Sequence, residues 1–354
     1  MTHKICTPLT VGPLTLSHRV VMAPLTRMRA SPDGNVPTAL NALYYAQRAT
    51  PGGLLIAEAT PVSWQVHGHP NVPGIHTAAQ VAGWRRVTDA VHERGGFIFL
   101  QLWHTGRVSH SSHQPDAAPP VGPSAIAAQG TTLDANWKSV PYELPRALEL
   151  AEMPALVDRW RQAAANAMRA GFDGVEIHGA NGYLLEQFLQ SRSNTRTDRY
   201  GGSIPNRCRL HLEIAAAVSQ EVGAERTGIR LSPWGIANDS GEAEPLPLYG
   251  HLVQQLAALK LVYLHLIEPR ASGTGKADIF REGQPSAAQA FRPMWPGVLI
   301  DAGNFDREGA IHAVDDGRAD AVAFGRYFIS NPDLPGRLQG GAPLQIADPG
   351  FPAV

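Results

Sequence analysis

The chain contains very little cysteine, which limits its possible redox chemistry. Cys6 and Cys208 are the only two among 354 residues, and they form no Cys-x-x-Cys pair. A four-thiolate iron–sulfur cluster, a cysteine-rich zinc site and a disulfide framework all require more thiols at closer spacing. Any redox activity of this chain would therefore depend on an organic cofactor.

An excess of either charge is also missing. The 30 basic and 31 acidic residues leave a formal net charge of −1, and like charges do not cluster in runs. Proteins that bind nucleic acid or an anionic membrane surface carry a basic patch. We therefore expect a small-molecule partner, with neither nucleic acid nor a membrane involved.

Long hydrophobic runs are absent as well. The most apolar long stretch, residues 251–267, is interrupted by glutamine, lysine and histidine, whereas a membrane span needs about 20 largely apolar residues. The first 16 residues contain scattered prolines and lack the apolar segment of a signal peptide. These features predict a cytoplasmic protein.

The sequence does contain a series of short runs that are apolar on consecutive positions, as in strands buried on both faces of a parallel sheet. They are Arg19–Ala23, Leu54–Thr60, Phe97–Trp103, Gly174–His178, Gly228–Leu231, Tyr263–Ile267, Val298–Ala302 and Ala321–Phe324. Helical spacing lies between them, in Thr38–Ala49, Ala78–Arg94, Met153–Ala170, Arg207–Val222, Pro247–Leu259 and Asp306–Asp315. The alternation predicts an α/β protein with a single (β/α)8 (TIM) barrel, and a doubly wound sheet is the alternative.

The chain exceeds the roughly 250 residues of a typical barrel, and the surplus falls in long βα loops. These are Ser109–Leu150, Asn194–Asn206 and Glu268–Pro293. The opening segment Leu9–Leu16, with Gly12-Pro13 at its turn, predicts a hairpin at the barrel floor. We expect residues 1–354 to form one domain, with 345–354 as a short tail.

The residues after the last two predicted strands favour a phosphate site. Loops at this position of a barrel often bind phosphate through backbone N–H groups and a helix N-terminus. Gly303 and Gly325 permit close approach of the backbone, and Arg326 supplies guanidinium donors. The alternative is a pair of ordinary turns with a surface arginine.

A second group of polar residues follows the fourth predicted strand. His178 and Asn181 can direct two donors at one carbonyl oxygen, and the Tyr183 phenol can transfer a proton. This combination is suited to forming an enolate. The alternative is a hydrogen-bonded core histidine followed by an ordinary Asn-Gly turn.

Five sequence blocks, in this order, resemble those of the old yellow enzyme family. They are APLTRMR (23–29), QLWHTGR (101–107), HGANGYL (178–184), RTDRYGGS (196–203) and FGR (324–326). The resemblance extends from about residue 4 to residue 344. It implies a barrel that holds FMN without a covalent bond, is reduced by NADPH or NADH, and in turn reduces an activated C=C bond.

The resemblance also implies how the flavin is held. Thr26 would donate to the flavin carbonyl beside N5, Gln101 would bind the pyrimidine edge, and Arg230 near N1 and O2 would stabilise the anionic reduced flavin. The other implied cofactor-binding residues surround the ring or hold the phosphate: Pro24, Leu25, Ala59, Ala302, Gly303, Asn304, Gly325 and Arg326.

The implied substrate is an electron-poor alkene: an α,β-unsaturated aldehyde, ketone, imide or nitroalkene. His178 and Asn181 would bind its activating oxygen while hydride passes from N5 to the β-carbon, and Tyr183 would protonate the α-carbon. Trp103 and His69 would line the pocket. Many relatives carry tyrosine where His69 stands, so the pocket wall would be more polar here.

Other interpretations are compatible with these residues. A flavin-free barrel lyase or isomerase could use His178 and Tyr183, and a flavin-binding stress protein would show little turnover. The cluster His104, His110 and His113 lacks a carboxylate or thiolate at ligand spacing, so we expect no metal site. Either a monomer or a homodimer is compatible with the sequence.

Overall fold

The computed structural model describes residues 3–271 and 285–346. Within them the strands are β1 (Leu9–Val11), β2 (Leu14–Leu16), β3 (Val20–Met22), β4 (Leu54–Pro61), β5 (Phe97–Trp103), β6 (Val121–Gly122), β7 (Thr131–Leu133), β8 (Ser139–Pro141), β9 (Arg146–Ala147), β10 (Gly174–Gly179), β11 (Thr227–Leu231), β12 (Tyr263–Ile267), β13 (Val298–Ala302) and β14 (Ala321–Phe324). The helices are α1 (Ala39–Ala46), α2 (Ala78–His92), α3 (Met153–Arg169), α4 (Leu184–Leu189), α5 (Ile204–Val222), α6 (Pro245–Ala258), α7 (Ala287–Phe291), α8 (Arg307–Asp315), α9 (Arg326–Ser330) and α10 (Leu334–Gly340).

Eight parallel strands close into a barrel in the order β3, β4, β5, β10, β11, β12, β13 and β14, and β14 pairs with β3. All eight coincide with the predicted apolar runs. Their residues are almost all buried because one face of each strand points into the barrel and the other contacts the helices. The predicted TIM barrel is confirmed, and the doubly wound alternative is wrong.

Two aromatic rings fill the lower part of the barrel. The rings of Phe99 and Tyr263 lie 5.7 Å apart between centroids. Each ring lies against a glycine on a neighbouring strand, so a Cβ at Gly174 would overlap Phe99 and one at Gly228 would overlap Tyr263. The absence of a side chain at these two positions therefore provides the space that the rings of Phe99 and Tyr263 occupy.

The predicted hairpin is present at the floor of the barrel. β1 and β2 pair antiparallel from Leu9 to Leu16, and Val11, Leu14 and Leu16 pack on inward residues of the barrel, including Tyr263. The burial of these side chains closes the amino-terminal end of the barrel.

The sequence pattern did not predict four short helices. α4, α7, α9 and α10 span only five to seven residues each, too few to show a helical period. α4 is buried along its whole length, so its sequence does not alternate between apolar and polar faces. The long predicted helices are all present, with ends that differ by a few residues.

The long connection between β5 and α3 has its own small ladders, β6 with β9 and β7 with β8. Arg196, from the RTDRYGGS block, donates to the carbonyls of Pro123 and Leu148 and pairs with Asp198. This block therefore anchors the connection to the barrel. Most of the long loop after β12 (272–284) and the tail from 347 lie outside the described residues.

None of the helices in the described ranges combines the length and the apolar composition required to cross a bilayer.

Candidate active site

The site residues expected from the sequence lie in the carboxyl-terminal halves of the barrel strands or just beyond them. From β3 round to β14 they are Pro24, Leu25, Thr26, Ala59, Gln101, Trp103, His178, Asn181, Tyr183, Arg230, Ala302, Gly303, Asn304, Gly325 and Arg326. Parallel strands of a closed barrel end on the same rim, so these residues surround one open end. His69, after β4, stacks on Trp103 with 6.0 Å between ring centroids.

Four polar side chains form a layer across the barrel below this rim, called the polar layer here: Gln101, Glu176, Arg230 and His265. They are cross-strand neighbours or partners on β5, β10, β11 and β12. Gln101 Nε2 donates to Glu176 Oε1 at 2.7 Å, and His265 Nδ1 lies 2.8 Å from Oε2. Each side chain is buried.

Sequence reasoning gave no role to Glu176 or His265. A signal was available for Glu176, because it stands two residues before His178 on the same strand and must face the same side. His265, one of the two partners of Glu176, lies 89 positions later on another strand, and such a pairing has no local signature.

His178 is 3% exposed and lies at the top of β10. Burial, and after it the positive charge of Arg230, hold the pKa of His178 well below its usual range. The ring is therefore neutral near pH 7. Its Nδ1 accepts from the backbone N–H of Ala180 at 3.3 Å, so the proton sits on Nε2, which becomes the donor available to a ligand.

Asn181 occupies a left-handed backbone conformation, with φ of 59°. Its N–H donates to Ser232 Oγ at 2.8 Å, and its carbonyl accepts from Asn238 Nδ2 at 2.8 Å. Its buried Oδ1 has no hydrogen-bond partner among the described residues. The backbone of Asn181 is thus fixed, while the Oδ1 acceptor of its carboxamide is left for a ligand.

A buried carboxylate supports this turn. Glu186, on α4, accepts from the backbone N–H of Gly182 and from the hydroxyls of Ser232 and Tyr249, at 2.5 to 2.7 Å. Burial raises the pKa of Glu186 to about 7, against the lowering effect of these three donors. Sequence reasoning missed Glu186 because two of its donors, Ser232 and Tyr249, come from the turn after β11 and from α6.

Tyr183 lies between two other rings of the site. Its ring is edge-on to Trp103 at 4.9 Å and to His178 at 5.1 Å between centroids. Leu133 of β7 packs against the same cluster, so the long β5–α3 connection forms part of the wall. Burial raises the pKa of Tyr183, and the phenol stays protonated at neutral pH.

Another buried carboxylate holds the loop after β3. Glu58, at the carboxyl half of β4, accepts from the backbone N–H of Arg27 at 2.9 Å and from Tyr45 and Asn41 of α1. Burial raises the pKa of Glu58 to about 7. These contacts fix the backbone just beyond Thr26.

The expected phosphate residues follow the adjacent strands β13 and β14. Gly303 has φ of 124°, a conformation that favours glycine, and its carbonyl accepts from Arg270 Nε at 2.7 Å. Arg326 begins α9 directly after Gly325. A Cβ at Gly325 would lie 3.2 Å from the side chain of Leu25, so the turn after β14 adjoins the loop after β3.

The described residues contain no group of three or more histidine, cysteine, aspartate or glutamate side chains that could hold a metal ion.

Comparison with known proteins identifies relatives along nearly the whole chain. A model of the NADH:flavin oxidoreductase / NADH oxidase family matches residues 4–345. The chain is 48% identical to 12-oxophytodienoate reductase 1 of Oryza sativa subsp. japonica, over 97% of this chain and 88% of the relative. It is 45% identical to 12-oxophytodienoate reductase 2 of Arabidopsis thaliana, over 96% and 89% respectively.

Solved structures of similar proteins indicate the same family as these relatives. Morphinone reductase superposes with a TM-score of 0.91 at 47% identity, covering 99% of this chain and 93% of the other. An old yellow enzyme homologue from Zymomonas mobilis gives 0.91 at 40% identity, covering 97% and 94%. Because the family model and these structures span almost all of its barrel, the chain is an oxidoreductase that belongs to the NADH:flavin oxidoreductase family, the family of old yellow enzyme.

Proposed function

We propose that the chain is an FMN-dependent ene-reductase, reduced by NADPH or NADH. Its substrates are activated alkenes of the α,β-unsaturated aldehyde, ketone, imide or nitroalkene class. The observation that carries the proposal is the grouping of neutral His178, Asn181 and protonated Tyr183 above the buried charge of Arg230. Relatives named as reductases of 12-oxophytodienoate and morphinone, one of them in complex with tetrahydroNAD, support it.

The residues of the rim fit a flavin. Arg230 Nε is buried and has no hydrogen-bond partner among the described residues, so a group with acceptor atoms above the polar layer would satisfy it. Residues assigned to the ring are Pro24, Leu25, Thr26, Ala59, Gln101 and Arg230, and those assigned to the phosphate are Ala302, Gly303, Asn304, Gly325 and Arg326. When bound, FMN supplies the hydride that the side chains themselves cannot.

The other side chains bind and protonate the substrate. Nε2–H of His178 and Nδ2–H of Asn181 hold the activating oxygen and stabilise the negative charge that develops there. Tyr183 donates its phenolic proton to the α-carbon. Trp103 and His69 line the pocket and limit the shape of the alkene.

The test is an anaerobic two-step assay. The purified protein is reduced with NADPH or NADH, and then cyclohexenone, a maleimide, a nitroalkene or a nitrate ester is added while flavin absorbance is followed. We expect reduction by the nucleotide and reoxidation by the electron-poor alkenes.

Two results would contradict the proposal. A colourless protein that fails to bind FMN would favour a flavin-free lyase or isomerase. Rapid reduction by NADPH without reoxidation by any alkene would favour a flavin-binding stress protein.

A further inference from the structure

Glu176 is a buried acidic residue that the proposed mechanism does not use. Its side chain is 0% exposed and faces into the barrel from β10, two residues below His178. Both carboxylate oxygens are engaged, Oε1 by Gln101 and Oε2 by His265. A buried carboxylate is costly unless it is paired and hydrogen-bonded, so the polar layer is built around it.

The titratable groups that face Glu176 come from β11 and β12. Arg230 on β11 is the cation of the layer, and its charge interacts with Glu176. Burial and Arg230 lower the pKa of His265 on β12, so this ring is a neutral donor. Burial and the Glu176 carboxylate raise the pKa of Tyr263. The layer therefore carries one positive and one negative group.

The hydrogen bond to Glu176 also determines the orientation of Gln101. A carboxylate accepts and cannot donate, so the Gln101 atom that faces it must be Nε2. The Oε1 atom is then on the opposite branch of the carboxamide, where it can accept from a ligand N–H. The imide edge of a flavin carries such an N–H between two carbonyl groups.

We propose that Glu176 is a positioning residue for the flavin: it fixes the Gln101 carboxamide with Oε1 available to the flavin imide, and it offsets the charge that Arg230 presents to the ring. This inference rests on the proposed function. Since reduction adds negative charge to the flavin, a nearby carboxylate makes reduction harder and Arg230 makes it easier. Glu176 thus lowers the flavin potential below the value that Arg230 alone would set.

Two substitutions at this position separate the charge from the hydrogen bond. Glu176→Gln removes the charge, and we expect a more positive FMN midpoint potential. At a fixed solution potential the ratio of reduced to oxidised flavin should rise about tenfold, which corresponds to about 30 mV for two electrons. Glu176→Asp keeps the charge but withdraws the carboxylate from Gln101, so the potential should change little while FMN binds about fivefold to tenfold more weakly.

The matched control is Glu213→Gln. Glu213 lies on the outer helix α5, where its carboxylate accepts a hydrogen bond from the Tyr200 hydroxyl. Potentials are measured against reference dyes, FMN dissociation constants by fluorescence, and folding by circular dichroism. The control should leave both the potential and FMN affinity unchanged.

A double-substitution experiment tests the contact between Glu176 and Gln101 while it keeps the buried negative charge at position 176. Gln101→Met should weaken FMN binding, and Glu176→Asp in that background should weaken it no further, because both changes break the same contact. Additive losses would overturn the positioning role, and an unshifted potential in a folded, FMN-loaded Glu176→Gln protein would overturn the charge role. Failure of the unsubstituted protein to bind FMN would instead refute the proposed function.

Discussion

At the residue scale, the site depends on protonation states that burial selects. Low dielectric surroundings disfavour charge, so His178 is neutral and Tyr183 is protonated at neutral pH. These are the forms in which each can donate a hydrogen. The same burial leaves Glu58 and Glu186 with pKa values about 7, and both accept backbone N–H groups that fix the loops of the site.

Replacing His178 with alanine should weaken the binding of an anionic oxygen ligand. A hydrogen bond to a charged group contributes about 1.5 to 3 kcal/mol, so titration of the protein with a phenol should give a dissociation constant about 10-fold to 100-fold higher. His92→Ala, on the outer face of α2, is the control. Equal phenol affinity in His178→Ala and the unsubstituted protein would refute the oxygen-binding role.

Replacing Tyr183 with phenylalanine should separate the two half-reactions. Reduction by NADPH requires no proton from the phenol and should be nearly unchanged. Turnover of cyclohexenone should fall by about 100-fold or more, because general acids contribute about 10² to 10⁴ in rate. Stopped-flow measurement of each half-reaction tests this, and an equal loss in both would mean that Tyr183 has a structural role.

At the scale of elements, the strands were predictable because burial on both faces leaves continuous apolar runs. Short helices such as α4 and α9 were not, because they follow functional loops and have too few residues for a period. The rim residues could be found through the position of strand ends and the family blocks. His265 and Glu186 could not be assigned roles, since their partners lie on other strands and helices.

Strand β11 depends on a glycine at its lower end. In Gly228→Ala the new Cβ would overlap the ring of Tyr263, and overpacking of this kind costs about 1 to 3 kcal/mol. We expect a lower urea midpoint with an unchanged slope. Gly336→Ala is the control, because a Cβ in α10 meets nothing within 4 Å and should stabilise the helix slightly. Equal stability of the two variants would contradict this account of the packed floor.

At the scale of the whole molecule, buried histidines should make the fold sensitive to acid. Burial lowers the pKa values of His67, His104 and His211 to about 3. Below about pH 6.5 the unfolded chain takes up these protons and the folded chain does not, so the free energy of unfolding falls as pH falls. Glu58 and Glu186 have the opposite effect: between their unfolded pKa near 4.5 and about 7 the folded chain binds more protons, so they raise the free energy of unfolding as pH falls. The buried histidines outnumber these two carboxylates.

His211→Leu should reduce this acid sensitivity. Between about pH 4.5 and 6.5 the dependence of the free energy of unfolding on pH should lose about 1.4 kcal/mol per pH unit, measured by urea unfolding at several pH values. Exposed His312→Gln is the matched control for the replacement of a histidine. A His211→Leu protein with the unaltered pH dependence would show that His211 titrates normally in the folded chain.

Closure of the barrel joins residues that lie far apart in the sequence. Arg19 Nη1 donates to the carbonyl of Asp320, 301 positions later, and Val322 N donates to the carbonyl of Arg19. During synthesis on a ribosome, β3 therefore leaves the exit tunnel long before its β14 partner exists. The nascent polypeptide must keep an unpaired strand edge and the apolar floor hairpin shielded, by a chaperone or by transient collapse, until β14 has been translated.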